Sequence, residues 1–478
     1  MKFIRLCLTL SFIGGLSLAS FSKDAYNISI TIKGYKSKKC YLGYYFGDKQ
    51  YLKDSAITDI NGRMVFHGKE SLDGGVYLIA SANKSLLFDF VVTEQFFSLD
   101  TDSSDMIGNM KVKGSQENEI FFGYSRFTIT IGQKASKLEK EIEEARKSND
   151  TATARKSTEQ LRVHLKELAD YRKDVVTKHP NTMLSKIFRI MTDVDVPPAP
   201  KLPNGNTDST FQYRYYYDHF FDNFDWADNR IVRTPVFHQK LETFMTKMTY
   251  QVPDSINKSA DIVLKKAEAG KDNFKYCLFW ITNHYETSEF MGMEAVFVHM
   301  CDNYYAKGKA FWVDETNLFK MKDQADKWRH NLIGIKASNL TMMDTAGIYH
   351  SLANMNAKYT VVIFWNATCG RCKEELPRLI NLYDSLNRTN KGMRKFIDVY
   401  SVSLTENPND WLNYLREHKP GWTDVYDPNN ETNFRRLYDV SSTPVVYLLD
   451  EKKNILAKRL AIEQLRDFII NLEKDKTP

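Results

Sequence analysis

At 478 residues, with 42% hydrophobic and 13% aromatic content, the chain carries ample apolar side chain for packed cores, which excludes a disordered polymer. Its length is too great for one core and suggests about three domains. The formal charge is only +6, part of it from Lys2 and Arg5 at the extreme N-terminus, and no basic arm or stripe follows, so nucleic acid is not expected as a partner.

The first residues read MKFIRLCLTLSFIGGLSLASFSKDA. Lys2 and Arg5 form a basic start, and Leu6 to Leu18 form an apolar run too short to span a bilayer comfortably. Ser17 and Ala19 are placed for cleavage before Ser20, so residues 1–19 are read as a signal peptide, an uncleaved anchor being the alternative. Cys7 lies inside the apolar stretch with Arg5 just ahead, unlike a lipid-attachment cysteine. No later run reaches membrane-spanning length. The expectation is an exported chain, located in the periplasm or cell envelope, with no stable membrane span after cleavage.

Residues 23–115 are expected to form a small antiparallel β domain. Ile28, Ile30 and Ile32 share one face of a strand, and CYLGYYF, RMVFHG, GVYLIAS and LLFDFVV follow as further strands. Asn61-Gly62 supplies a tight turn, and Asp73-Gly74-Gly75 punctuates the next gap. Polar residues fall in the turns, which points to a folding or docking module.

Residues 116–330 are expected to be helical. Leu138, Ile142 and Ala145, then Leu161, Leu165, Leu168 and Val175, recur at intervals of three and four, and Asn149-Asp150 breaks the run and can cap the second helix. A Pro-rich loop starts at Val196. The aromatic stretch FQYRYYYDHFFDNFDW reads as a buried seam in preference to a stacking platform for sugars or bases. His219, His238, His284 and His299 lack metal-ligand spacing.

From residue 331 to 478 strands and helices alternate. TVVIFW, FIDVYSVSL and PVVYLLD interleave with the helical runs EELPRLINLYDSL, DWLNYLREH and NFRRLYDV, and IEQLRDFIINLEK closes the chain. That grammar implies an α/β domain whose sheet has parallel members and is covered on both faces.

After signal cleavage five cysteines remain: Cys40, Cys277, Cys301, Cys369 and Cys372. The first three read as buried inert thiols, with a Cys277–Cys301 bridge as the alternative. Cys369 and Cys372 differ, because they lie three apart at a strand-to-helix junction, in VVIFWNATCGRCKEELPRL. Unpaired N–H groups and the positive end of the helix dipole stabilise a thiolate there. The second sulfur, one turn on, can bond to the first and resolve a mixed disulfide. A structural zinc site would need a second ligand pair, which is missing, and a bridge this short closes almost no loop. A redox pair is the reading that survives.

These residues resemble the thioredoxin-like fold, and most closely the exported thiol–disulfide oxidoreductases of the TlpA and ResA type, a family bordering on the AhpC/TSA peroxidases. The resemblance runs from NLIGIKASNLTMMDTAGIYHSL through FWNATCGRCKEELP to YDVSSTPVVYLLDEKKNIL. It implies that Thr443-Pro444 is the family's cis-proline pair, exposing the Thr443 backbone to a substrate segment. It implies that Glu375 tunes proton transfer and that Pro377 is the helix-kinking proline. The whole layout also resembles larger envelope proteins in which β and helical domains of unknown function precede such a domain.

Two departures stand out. Thr368 and Arg371 replace the family's commonest Trp and Pro, and Arg371 sets a cation beside Cys369, which favours a more oxidising pair and a place in the substrate site. Ile363 stands where thioredoxins themselves carry a buried carboxylate.

The expected function is reduction of protein disulfides in the cell envelope, with Cys369, Cys372 and Glu375 as catalytic residues and Cys369–Cys372 as the reversible disulfide. Thr443, Pro444 and Arg371 would hold substrate, a membrane thiol carrier would donate electrons, and no cofactor is required. Two rivals are a non-catalytic interaction protein and a thiol peroxidase. The latter would need Thr where Asn366 lies.

Overall fold

The structure is a computed structural model that describes residues 24–388 and 394–474. The expected signal peptide lies outside these residues. The chain divides into two compact units, Met1–Phe244 and Met245–Pro478, so the helical stretch contributes to both.

In the first unit the strands are β1 (Tyr26–Lys33), β2 (Lys39–Phe46), β3 (Lys49–Ile57), β4 (Arg63–Gly68), β5 (Gly75–Ser81), β6 (Leu86–Val92), β7 (Phe96–Asp102) and β8 (Lys111–Lys113). They form two four-stranded sheets, ordered β4-β1-β7-β8 and β3-β2-β5-β6. Pairing is antiparallel except between β1 and β7, which run parallel. The alternation along β1 does what it implies: Ile28, Ile30 and Ile32 are fully buried against Leu42, Phe66 and Phe90. Gly62 sits at φ +83°, and a Cβ there would come within 2.0 Å of the Ile32 carbonyl oxygen, so the turn demands glycine.

Helices α1 (Gln116–Lys147) and α2 (Thr151–Lys178) follow, with α3 (Met183–Met191), α4 (Phe211–His219) and α5 (Pro235–Glu242). Asp150 caps α2 by accepting from the Thr153 N–H, with Asn149 in the left-handed region at φ 57°. The aromatic seam is buried only past α4. Phe220, Phe221 and Trp226 pack among Phe237 and Phe244, whereas α4 itself has no buried residue.

The second unit begins with α6 (Pro253–Ala267), α7 (Lys271–Glu286), α8 (Glu294–Met300) and α9 (Glu315–Arg329). It continues as a mixed sheet of β9 (Thr341–Met343), β10 (Tyr349–Ser351), β11 (Ala357–Trp365), β12 (Lys395–Ser403), β13 (Thr423–Tyr426), β14 (Val445–Leu449) and β15 (Ile455–Lys458). Its helices are α10 (Gly370–Arg388), α11 (Pro408–His418), α12 (Phe434–Leu437) and α13 (Ile462–Lys474). The strand order is β10-β9-β13-β12-β11-β14-β15, with β11, β12 and β13 parallel and the rest antiparallel.

β11 is buried on both faces, which is why it reads as a continuous apolar run. Val361, Ile363 and Trp365 pack with Leu376 of α10 and Leu465 of α13, while Val362 and Phe364 pack with Phe434, Tyr438 and Tyr447.

The helices before the sheet are tied to it by charge. Lys458 is 8% exposed; its ammonium donates to the Asn331 carbonyl (2.9 Å) and Oδ1 (2.7 Å) and pairs with Glu294 (2.5 Å). Arg436 pairs with Asp323 and Asp326 of α9. Trp328 Nε1 donates to Asp439 (3.2 Å), which also pairs with Arg459 (2.6 Å). No helix among the described residues is long and apolar enough to cross a membrane.

Candidate functional site

The site is built where β11 ends. Trp365 Nε1 donates to Ser401 Oγ (2.8 Å), anchoring the strand end to β12. The chain then turns tightly. Ala367 N–H donates to Thr405 Oγ1 (2.9 Å), Asn366 Oδ1 accepts from the Thr368 N–H (2.8 Å) and hydroxyl (2.8 Å), and Cys369 N–H donates to the Asn366 carbonyl (3.1 Å). These bonds deliver Cys369 directly ahead of α10, where its own carbonyl accepts from Lys373 N–H (3.2 Å) and the free N–H groups of the first turn surround its sulfur. The Asn366 side chain is thus spent on holding the turn, at the position where a peroxidase would need threonine.

The two sulfurs occupy different environments. Cys369 is partly exposed, and Cys372 is fully buried in the core under β11. Burial pushes the Cys369 thiol up, but hydrogen bonds from Thr443, from Cys372 and from the backbone N–H groups of Cys372 and Arg371 outweigh it, and the net direction is down. For Cys372 burial dominates, and its thiol is pushed up to about 11. The two thiols are therefore unequal: one is primed to ionise and reachable, the other protonated and shielded.

Thr443-Pro444 is a cis peptide bond, and the Cys369 thiol donates to the Thr443 carbonyl at 3.5 Å, so residues 74 apart in sequence meet at the sulfur. Glu375 is 8% exposed. One of its oxygens accepts from Arg378 (3.2 Å) and the other from the backbone N–H of Ile462 (3.3 Å), which joins α10 to the start of α13. Arg371, Glu375 and Pro444 line a small groove of about 170 Å³ beside the cysteines. All six residues singled out from the sequence (Cys369, Arg371, Cys372, Glu375, Thr443 and Pro444) therefore lie in one neighbourhood.

Other features had no advance notice. Arg459 and Leu460 form the far lip of that groove, and Arg459, in the left-handed region at φ 59°, pairs with Asp439. Ile363 is fully buried, as an apolar residue at that position should be, worth about 1.5–3 kcal/mol of transfer free energy. A carboxylate does occur on the same row of the sheet, two strands away. Ile363 registers with Ser401, and Ser401 with Asp424. Burial pushes the Asp424 carboxyl up to about 7, against hydrogen bonds from Ser401 and Trp422. Asp424 had a weak sequence signal, a charge alternating into the strand WTDVY; Arg459 had none.

Cys40, Cys277 and Cys301 are free and buried, with burial pushing Cys40 and Cys301 up to about 11 and Cys277 further. No bridge joins Cys277 to Cys301. Among the described residues no cluster of His, Cys, Asp or Glu is placed to hold a metal ion.

Comparison with known proteins agrees with this geometry. Residues 356–455 match the family described as thioredoxin-like, so the chain carries a thioredoxin-like domain in its C-terminal part. Residues 26–121 and 136–331 match two families described as domains of unknown function, DUF4369 and DUF5106. The chain is 27% identical over 127 residues to a thioredoxin-like protein of Haemophilus influenzae, covering 26% of this chain and 69% of that protein. It is 26% identical over 121 residues to sporulation thiol-disulfide oxidoreductase A of Bacillus subtilis, covering 25% and 70% respectively. A solved domain of a possible thiol-disulfide isomerase from Cytophaga hutchinsonii is 39% identical, spanning 30% of this chain and 95% of that one, with a TM-score of 0.28. Thiol–disulfide oxidoreduction is the general function that the family and the two relatives matched by sequence support.

Proposed function

We propose that this chain is an exported thiol–disulfide oxidoreductase that reduces protein disulfides in the cell envelope through Cys369 and Cys372. The observation that carries the reading is the inequality of the two thiols, Cys369 lowered and reachable, Cys372 raised and buried. In the forward step the Cys369 thiolate attacks one sulfur of a substrate disulfide. That S–S bond breaks, a new one forms to Cys369, and the departing sulfur leaves as a thiolate that takes a proton. Cys372 then gives up its proton and attacks the Cys369 sulfur, releasing the second substrate thiol. The substrate gains two electrons and two protons, and the pair is left as a disulfide.

Glu375, buried beside the groove, is the residue assigned to carry the proton from Cys372. Thr443, Pro444 and Arg371 hold the substrate segment across Cys369. A membrane thiol carrier restores the dithiol, and residues 1–19 direct export. Residues 331–478 are the catalytic domain in this reading, with residues 23–115 and 116–330 as accessory domains.

The test is trapping. Cys372→Ser should accumulate mixed disulfides with envelope proteins through Cys369, and Cys369→Ser should accumulate none and reduce nothing. Equal trapping by the two variants would reverse the roles. No disulfide reduction by the wild type, with no trapping by either variant, would leave a scaffold.

A further inference from the structure

The groove beside Cys369 does not end at the thioredoxin-like domain. Its far lip, Arg459 and Leu460, is also the near lip of a larger cleft of about 420 Å³, whose other wall is the segment joining α7 to α8. That wall is pinned. Met291 Sδ accepts from the Lys458 N–H at 3.2 Å, and Glu294 holds the buried Lys458 ammonium. Phe290, beside Met291, is 78% exposed and presents a large apolar ring to the cleft.

Charge along this path is uneven. Lys458 is matched by Glu294 and Arg459 by Asp439. Glu286 and Glu289 also line the cleft, and no ion pair among the described residues involves either. At the cysteine end Arg371 is exposed, so the path runs from a cation near the sulfur to two unmatched carboxylates farther out.

We infer that the α7–α8 segment is the outer wall of the substrate site, and that it receives the extended, basic part of the polypeptide flanking the substrate's reacting cysteine. Continuity with the cysteine groove supplies the route, Glu286 and Glu289 the charge preference, and Phe290 an apolar contact. The inference rests on the oxidoreductase reading above and adds no chemical step to it. It gives the family of unknown function matched by residues 136–331 a task, since Glu286, Glu289 and Phe290 all fall within it.

The probes are peptides whose single cysteine is joined to thionitrobenzoate. Attack by Cys369 on the peptide sulfur releases the coloured thiolate. Cys372 then frees the peptide as a thiol and leaves the pair as a disulfide, and a small-molecule dithiol, its direct reaction with the peptide subtracted, restores the pair. One series carries lysines stepped along the chain away from the cysteine, and a matched series carries glutamates. The lysine peptides should show kcat/KM about fivefold higher than the glutamate peptides at low salt, consistent with two exposed carboxylates. In Glu286→Gln/Glu289→Gln that ratio should fall to within about twofold. Phe290→Ser should raise KM about fivefold for both series without changing their ratio.

Because the ratio is taken within one protein sample, a partly unfolded variant does not distort it. A ratio of one in the wild type, or a wild-type ratio that survives in the double variant, overturns the wall. If dithiobis-nitrobenzoate is still reduced in that case, the oxidoreductase reading stands alone. If the wild type reduces neither that reagent nor any peptide, both readings fail together.

Discussion

Iodoacetamide added to the reduced protein at pH 7 should modify Cys369 at least about tenfold faster than Cys372, by the following arithmetic. With its thiol pushed up to about 11, Cys372 is ionised in about one molecule in ten thousand. Cys369 lies below its ordinary value of 9.0, so more than about one in a hundred is thiolate. The more basic thiolate is the better nucleophile, and a Brønsted slope of about 0.4–0.5 over two units returns up to about tenfold of that hundredfold gap. About tenfold remains before access is counted, and complete burial of Cys372 widens it. Timed quenching followed by proteolysis and mass spectrometry reads the two rates. The rate at Cys369 should level off below pH 9, because a lowered pKa brings full ionisation earlier. Equal labelling, or a Cys369 midpoint at or above pH 9, would refute the assignment of the two sulfurs.

Three further changes probe other parts of the unit. Glu375→Gln should slow turnover about 10²–10⁴-fold when resolution limits the rate and flatten its pH dependence, without slowing alkylation of Cys369; unchanged kinetics would remove Glu375 from the proton path. Lys458→Met strands the Glu294 carboxylate and should cost about 3–5 kcal/mol in urea unfolding of this unit, with Lys458→Met/Glu294→Met recovering most of it; a loss below about 1 kcal/mol would show that the pair does not hold the helices to the sheet. Asp424 has a folded-state pKa raised to about 7, so the native state keeps a proton that the unfolded chain releases near pH 4. Stability should therefore fall as pH rises from about 4 to about 7, by up to about 1.4 kcal/mol per unit, and Asp424→Asn should remove that slope.

The legible parts of the sequence were those where one physical requirement dominates. The strand carrying Ile28, Ile30 and Ile32 buries one face, and the alternation shows it. β11 buries both faces, and the unbroken apolar run shows that too. The cysteine pair is legible because redox chemistry needs two sulfurs on one helical turn. β3 was missed because it is almost wholly exposed and has no apolar face to betray it. The parallel pairing of β1 with β7 was missed because register across 60 or more residues leaves no local mark. Arg459 was missed for the same reason, since it enters the groove only when β15 closes the sheet edge.

Lys458 shows why the helices α6 to α9 and the sheet behave as one unit. Within ILAK a lysine ending a short edge strand would ordinarily point into water, since an ammonium is costly to bury unpaired and a charge blunts an exposed edge. Here it is buried, and burial pushes its pKa down against the pull of Glu294. Its partners, the ion-paired Glu294 and the two Asn331 oxygens that accept its hydrogen bonds, all come from residues before the sheet begins. The neighbouring Arg459 is fixed in turn by Asp439, which α9 steadies through Trp328. The change of pattern near residue 331 therefore marks where helices give way to alternating strands, while the packing runs straight across it. A thioredoxin-like domain cut at that point would lose the Glu294 partner of the buried Lys458, the Met291 sulfur that accepts from the Lys458 N–H, and the Trp328 bond that steadies Asp439 beside the Arg459 lip.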